Sequence, residues 1–238
     1  MHQILTTAWS LAAYILVIFL SISEKSFADP MWLGDFETGD LSAFPVVLNE
    51  AGVSLDQACA ESGNFGARFT LTGDPTFLWN NNSALERTEL HISPKKGDTY
   101  EGKMTFFSFY YYLPQQLSNS RHEIAYWEAR ETWQQMFRFS VEGSSLSFQE
   151  TAQKKPFWTH PTGASPNRWH QLSMRILWST DPAKGYVKVW VDRKFLGEYH
   201  FKTLPERNAQ MFTQLGLLRD HSPIQESLCI DTIRLRSR

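Results

Sequence analysis

The sequence predicts an all-β fold, specifically a β-jelly-roll sandwich of two antiparallel sheets. After residue 30 the chain consists of short alternating or aromatic-rich runs that Gly, Pro, Asn and Asp interrupt, which is typical of strands joined by turns. Apolar residues at helical spacing are hard to find there, and the best candidate is a single helical turn near 204–209. Many short strands with turn signals between them favour a sandwich or a jelly roll.

The same patterns predict eleven strands in chain order. They lie at 67–71, 87–92, 102–113, 122–129, 135–142, 146–150, 169–178, 185–192, 194–200, 211–219 and 227–236. The strand at 102–113 has the heaviest aromatic load, with rings on both faces. One face is expected to pack in the core. Tyr110 and Tyr112 share the other face, where they would line a groove and stack on sugar rings, and simple core packing is the alternative.

The first 28 residues are predicted to be a signal peptide, so that residues 29–238 would form one domain. An apolar run from Ala8 to Ile22 precedes Ser26-Phe27-Ala28, which has the small-x-small pattern of a cleavage site. The run is short for a membrane span, and an uncleaved N-terminal anchor is the alternative. The protein is therefore expected to be secreted or periplasmic, without membrane contact after cleavage.

The net charge and the cysteine content predict which partners and which covalent bond to expect. The formal net charge of −2 provides no global basic surface, so no nucleic acid is expected as a partner. The two cysteines are Cys59 and Cys229. In an oxidising compartment they are predicted to form one disulfide, and two buried free thiols are the alternative. The protein is expected to be a monomer.

The most unusual stretch is residues 85–92, LERTELHI. As a strand it directs Arg87, Glu89 and His91 to one face. A solvated sheet surface explains such a row, and so does a charged binding groove.

An ordered set of short segments resembles the heparin-lyase-I-like and glucuronan-lyase-like polysaccharide lyases, with alginate lyases as more distant relatives. The stretch Arg87-Thr88-Glu89-Leu90 is its most characteristic part. The other matching segments are 35–41 (DFETGDL), 61–63 (ESG), 67–69 (ARF), 111–114 (YYLP), 169–172 (WHQL), 189–192 (VWVD), 215–217 (LGL) and 230–233 (IDTI). The resemblance implies a concanavalin A-like, lectin-like jelly roll that cleaves a uronic-acid-containing polysaccharide by β-elimination. No metal cofactor is expected. Related folds often carry a structural calcium ion, so a calcium site stays open as an alternative.

β-Elimination needs three groups. A base removes the proton at C5, a donor such as Arg, Gln or Asn neutralises the neighbouring carboxylate, and an acid, commonly Tyr, protonates the leaving 4-oxygen. Arg87 is the first candidate for the carboxylate, because guanidinium pairs with it through two hydrogen bonds. Glu89 would hold Arg87 in place, and His91 would extend the row. Arg87→Ala is then expected to abolish turnover with little loss of stability.

The proton-transfer groups depart from the family pattern. The family usually has Gln and His where Tyr126 and Glu128 lie, and a late Lys and Tyr where Gln214 and Leu218 lie. Tyr126 is the substitute acid, or both base and acid if Arg87 or Arg138 lowers its pKa. Glu128 shares the face of Tyr126, and Gln214 would help to neutralise the carboxylate. The candidate catalytic residues are Arg87, Tyr126 and Glu128, and the candidate substrate-binding residues are Glu89, His91, Tyr110, Tyr112, Arg138 and Gln214.

Two other functions stay open. Residues 123–128, EIAYWE, resemble the Glu-x-Asp-x-x-Glu strand of retaining jelly-roll glycoside hydrolases, with Ala125 at the position of the middle acid. Glu123 and Glu128 can share a face only if a β-bulge shifts the register. A secreted carbohydrate-binding domain without catalysis is the second alternative. A Tyr or His within reach of Arg87 would favour the lyase, whereas an Arg87 bound only to Glu89 in a packed core would not.

Overall fold

Two antiparallel sheets pack face to face in the computed structural model, which describes residues 32–74 and 84–238. The strands are β1 (Trp32–Gly34), β2 (Val46–Leu48), β3 (Val53–Asp56), β4 (Gly66–Leu71), β5 (Leu85–Ile92), β6 (Met104–Tyr112), β7 (His122–Ala129), β8 (Gln135–Glu142), β9 (Ser145–Glu150), β10 (Trp158–His160), β11 (Trp169–Leu177), β12 (Tyr186–Val191), β13 (Lys194–His200), β14 (Met211–Asp220) and β15 (Glu226–Ser237). Glu50–Gly52 and Gln57–Cys59 form single turns of 3-10 helix. The predicted β-jelly-roll sandwich is confirmed.

The order of the strands shows how the chain is assembled. The first sheet runs β13-β12-β11-β6-β15-β4-β3, with β1 also paired to β15, and the second runs β10-β9-β8-β7-β14-β5-β2. Each of the last two strands lies in the interior of one sheet, with a neighbouring strand on both sides. β14 lies between β7 and β5, and β15 lies between β6 and β4.

The core lies between the sheets because each strand buries alternate side chains. On β6, Phe107, Phe109 and Tyr111 point inward. Trp127 of the second sheet meets Trp178 edge to face, with 5.3 Å between the ring centroids. Leu90 and Ile92 of β5 join this core, so Arg87, Glu89 and His91 lie on the face of the second sheet that points away from it.

The predicted disulfide is confirmed. Cys59 in the second 3-10 turn is bonded to Cys229 in β15, with 5.1 Å between the Cα atoms. The bond fastens the segment between β3 and β4 to the central strand of the first sheet.

A second buried feature is an ion-pair cluster on the opposite side of β5 from Arg87. Arg219 is 2 % exposed and pairs with Glu86, at 2.6 Å, and with Glu226. His122 also contacts Glu226, with 2.6 Å between Nε2 and Oε2. The side chain of His122 is fully buried in this cluster.

Other expectations fail or lie outside the described residues. The helical turn expected near 204–209 is wrong, because this segment forms a non-helical turn closed by the Ala209 amide donating to the Glu206 carbonyl. The signal-peptide prediction concerns residues 1–28, which are outside the described part of the chain. Within 32–74 and 84–238, no helix is long and apolar enough to cross a membrane.

Candidate functional site

Three neighbouring strands of the second sheet bring the predicted polar residues together. Gln214 on the central strand β14 lies opposite His91 of β5 on one side and opposite Tyr126 of β7 on the other. The next pair on the same face of β14 and β7 is Phe212 and Glu128. Residues directly opposite one another in adjacent strands point to the same face, so these side chains share the outer face with Arg87.

Gly216 explains how closely β14 and β5 approach each other. A Cβ atom at this position would lie 2.3 Å from the Thr88 carbonyl oxygen and 2.8 Å from the Glu89 Cα. The backbone φ of +152° is also unfavourable for other residues. The Leu215-Gly216-Leu217 segment therefore allows β14 to pass directly beside the Arg87–Glu89 stretch.

A β-bulge in β7 changes which residues share the outer face. Glu123 pairs with Ser140, whereas Ala125 pairs with Phe139, so one extra residue is present on β7. Glu123 consequently points outward like Tyr126, where it accepts a hydrogen bond from Gln135 at 2.6 Å. The geometric condition set for the Glu123–Glu128 hydrolase strand is therefore met.

Arg87 is bound to Tyr126 and Gln214 as well as to Glu89. Its Nε donates to Glu89 Oε2 at 2.6 Å. Its Nη2 donates to Tyr126 Oη at 2.6 Å and also to Gln214 Oε1. A tyrosine within reach of Arg87 is the arrangement that favours the lyase.

Gln214 links both sides of this cluster, and its partners fix the orientation of its amide. Its Oε1 faces Arg87, which can only donate, and its Nε2 donates to Glu128 Oε2 at 2.5 Å. His91 Nε2 lies 2.9 Å from the same Oε1, so Nε2 carries the proton of the neutral imidazole.

Burial shifts the pKa values of the acids and of the histidine. It raises the pKa of Glu89 to about 7 against the opposing charge of Arg87. Burial also raises the pKa of Glu128 to about 7, against the hydrogen bond from Gln214 and the charge of Arg87. Burial lowers the pKa of His91 to about 4, and Arg87 and Arg130 add to this effect. The histidine is consequently neutral at pH 7.

The pKa of Tyr126 is raised, whereas the sequence-based expectation was that a nearby cation would lower it. Burial raises the pKa of Tyr126 well above its ordinary value, and the nearby charge of Glu89 adds to the shift more than Arg87 offsets it. The phenol therefore keeps its proton at neutral pH, which suits an acid and not a base.

The cluster has a buried part and a partly accessible part. Tyr126 is 1 % exposed and Gln214 2 % exposed, whereas Arg87 retains 11 % exposure of its side chain. Glu128 is also partly exposed. A ligand on this face would meet Arg87 and Glu128 first.

The structure separates Tyr110 and Tyr112 from this site, so their placement in the same groove is wrong. Both belong to β6 of the first sheet, and their side chains lie on its outer face. Tyr112 packs on Trp169 there, with 5.5 Å between the ring centroids. Sequence alternation correctly pairs the two tyrosines but does not reveal which sheet contains their strand.

Arg138 lies on the correct face but has different partners. It is opposite Tyr126 in the pairing of β7 with β8. Its Nη1 lies 3.5 Å from Glu123 Oε1 and donates to Gln135 Oε1 at 3.2 Å. Arg138 therefore belongs with the bulged end of β7 and has no direct hydrogen bond to Tyr126 among those the structure shows.

Two aromatic residues next to the site were not expected. Phe212 is 2 % exposed and contacts His91, with 4.9 Å between the ring centroids. Trp133 meets Phe212 edge to face at 5.8 Å and is 63 % exposed. The available sequence signal was the alternation of Phe212 with Gln214 on the same strand face.

No group of three or more potential metal ligands occurs within the described ranges 32–74 and 84–238.

Comparison with known proteins gives a family and a fold. A family model described as "Polysaccharide lyase" matches residues 36–234. No curated protein matches the sequence. Among solved structures, alginate lyase Aly36B is 11% identical, with a TM-score of 0.59 over 87% of this chain and 93% of that chain. "Alginate lyase AlgAT5 from Polysaccharide Lyase family 7" is 10% identical, with a TM-score of 0.57 over 78% of this chain and 82% of that chain.

The same fold occurs in a hydrolase. The catalytic domain of the glycoside hydrolase family 131 protein from Coprinopsis cinerea is 14% identical, with a TM-score of 0.59 over 87% of this chain and 94% of that chain. At such low identity these structures show the fold alone, because one fold can carry several different chemistries.

Proposed function

Since the chain belongs to the polysaccharide lyase family, we propose that it binds a uronic-acid-containing polysaccharide on the outer face of the second sheet and cleaves it by β-elimination. The observation that carries this proposal is the Arg87 cluster. A guanidinium, a protonated phenol, a carboxyl with a pKa near neutrality and an amide converge there. These are the group types that the reaction requires.

Arg87 would bind and neutralise the carboxylate of the sugar that is cleaved. Glu89 fixes Nε of Arg87, which orients the guanidinium toward Tyr126 and Gln214. The positive charge stabilises the negative charge that develops on the carboxylate when the C5 proton leaves. Gln214 would support the same charge by reorienting one amide hydrogen.

Glu128 is the proposed base. Its pKa of about 7 is close to neutral pH, so a large fraction of Glu128 is ionised there and can accept a proton. In the elimination, the C5–H bond breaks as Glu128 takes the proton. The C4–O bond breaks and a C4=C5 double bond forms.

Tyr126 is the proposed acid. Its hydroxyl keeps a proton at neutral pH, and this proton would pass to the leaving 4-oxygen. Arg87 Nη2, at 2.6 Å from Oη, would stabilise the phenolate until Glu128 returns a proton. Because Tyr126 is 1 % exposed, the substrate has to reach it past Arg87 and Glu128.

Two finer proposals concern substrate and location. The Arg87-Thr88-Glu89-Leu90 stretch supports a glucuronate- or heparin-type substrate, since it carries the resemblance to heparin-lyase-I-like and glucuronan-lyase-like enzymes. The Cys59–Cys229 disulfide supports an oxidising compartment, as does the proposed cleavage of residues 1–28. We therefore propose that the mature protein, residues 29–238, is secreted or periplasmic.

The test is ultraviolet absorbance of the unsaturated product on glucuronan, heparin and alginate. The wild type should produce a rise on at least one polymer. Tyr126→Phe should reduce the rate by two to four orders of magnitude, as loss of a general acid typically does. Phe195→Ala, on the exposed edge strand β13 of the other sheet, is the matched aromatic control and should not differ from the wild type. Undiminished turnover by Tyr126→Phe would exclude it as the acid.

A binding domain without catalysis is the second candidate, and the burial of Tyr126 and Gln214 favours it. A wild type that binds a uronic-acid polymer without any absorbance rise would support this candidate over the lyase. New reducing ends without absorbance would instead indicate hydrolysis, to which Glu123 and Glu128 on one face would be suited.

A further inference from the structure

A cavity of about 330 Å³ lies beside the Arg87 cluster and takes no part in the proposed elimination. Its lining consists of Pro94, Lys96, Arg130, Glu131 and Gln210. The volume is in the range of small-molecule sites in proteins. The cavity is therefore large enough to be considered as a binding site for part of a saccharide.

The cavity has a positively charged side. Arg130 and Lys96 are both exposed residues. Arg130 is held in place, because its Nη2 donates to Ser93 Oγ at 2.9 Å and its guanidinium lies over the Phe212 ring, 5.6 Å from the centroid. Glu131 supplies one negative charge, so the lining contains two cations and one carboxylate. A fixed guanidinium at this position is suited to an anionic ligand.

Trp133 follows Arg130 and Glu131 of the cavity lining in the connection between β7 and β8, and its backbone conformation is unusual. It has a φ of +55°, in the left-handed region that is uncommon for residues other than glycine. Its indole is nevertheless 63 % exposed and rests edge-on against Phe212. A strained turn that holds a large aromatic ring in solvent suggests a function for the ring, and a flat apolar face is suited to stacking on a sugar.

Gln210 forms part of the cavity wall. The residue is 7 % exposed, and its Nε2 donates to the Pro94 carbonyl at 2.9 Å. Its Oε1 is buried without a hydrogen-bond partner in the described part of the chain. Because this oxygen has almost no accessible surface, Gln210 shapes the wall of the cavity and is not assigned a contact with the ligand.

The cavity is close to the Arg87 cluster along β14. Arg130 lies over Phe212, and Arg87 binds Gln214, two residues further on the same strand face. Such residues are about 7 Å apart along a strand, a distance comparable with one sugar unit of a polymer. Both Arg87 and Arg130 also lower the pKa of His91, so both cations are near this residue.

We propose that this cavity is a second saccharide subsite. Arg130 and Lys96 would bind the carboxylate of the uronic-acid unit adjacent to the unit at Arg87, and Trp133 would stack on the sugar ring. The inference rests on the proposed function, because it assigns the neighbouring unit of the same polymer. It adds the requirement that the neighbouring sugar unit carry a carboxylate, although that unit does not take part in the elimination.

The test is calorimetric titration with a uronic-acid hexasaccharide and with its carboxyl-reduced, neutral counterpart. The parent protein is Tyr126→Phe, in which the ligand should persist. Arg130→Gln and Trp133→Ala should each weaken binding of the uronic-acid form about tenfold, the effect of losing one charged hydrogen bond or stacking contact. With the neutral form, Trp133→Ala should still weaken binding and Arg130→Gln should not. Lys194→Gln and Phe195→Ala, both exposed on β13, are the matched controls and should bind like the parent.

Two results would overturn the subsite. One is unchanged affinity of Arg130→Gln for the uronic-acid form in a parent that binds it. The other is equal weakening of both forms by Arg130→Gln, which would show that no carboxylate is recognised. If neither the parent nor the wild type binds any uronic-acid oligosaccharide, the proposed function itself fails and the subsite fails with it.

Discussion

Replacing Arg87 by a neutral residue should destabilise the protein, contrary to the sequence-based expectation of little loss of stability. Glu89 is fully buried and receives a 2.6 Å hydrogen bond from Arg87. Arg87→Gln leaves this carboxylate without its cation. Removing one partner of a buried ion pair typically costs about 3–5 kcal/mol, and we expect a loss of this size at pH 8.

The pH dependence of this loss follows from the pKa of Glu89. The folded-state pKa of about 7 is above the ordinary 4.5, so this group stabilises the fold below pH 4.5 and loses that contribution as the pH rises through about 7. Arg87 opposes the shift, and its removal raises the folded pKa further. At pH 5 the carboxyl of the variant is protonated, and the loss should fall to about 1 kcal/mol per missing hydrogen bond.

Urea unfolding at pH 5 and pH 8, followed by tryptophan fluorescence, measures these differences. The double variant Arg87→Gln/Glu89→Gln is the matched control, because it removes both charges and should recover most of the stability at pH 8. Both variants should lack turnover. A single variant as stable as the wild type at pH 8 would refute the argument, and so would a double variant that is no more stable than the single one.

Three further predictions concern other parts of the molecule. The turnover rate of the wild type should rise with pH through about 7, because Glu128 becomes ionised there. Glu128→Gln should show no such rise, and its rate should be at least a hundredfold lower. A wild-type rate that does not change with pH would contradict the assignment of Glu128 as the base. Arg219→Met should cost about 3–5 kcal/mol in urea unfolding at neutral pH, because Glu86 and Glu226 lose a buried cation, whereas Arg193→Met on the surface should cost little. Breaking the Cys59–Cys229 bond, which spans 170 residues, should lower the free energy of unfolding by about 5 kcal/mol in the chain-entropy account; non-reducing mass mapping that finds both thiols alkylated would contradict the bond itself.

Strands were predictable where alternation is long enough to see. The boundaries of β7, β8 and β13 match the predicted 122–129, 135–142 and 194–200. β1, β2 and β10 have only three residues each, too few for a period of two to be recognised. These short edge strands are held by pairing with longer neighbours, which a local pattern does not contain.

The candidate site was predictable within a strand and not between strands. Alternation correctly grouped Arg87, Glu89 and His91, because a strand fixes its own faces. It did not show that Gln214 bridges Arg87 and Glu128, which depends on the pairing of β14 with both neighbours. The β7 bulge that turns Glu123 outward is likewise a property of pairing.

The central positions of β14 and β15 have a consequence for the order of folding during synthesis. Strands β2 to β5 and strands β6 to β13 are not paired with each other, and only the two late strands join these groups within the sheets. A ribosome that has translated as far as residue 210 has therefore produced two sets of partial sheets with open edges. Such edges invite pairing with other chains. The Arg87 cluster also requires β14 between β5 and β7, so a nascent chain would acquire its proposed site only in the final step of assembly.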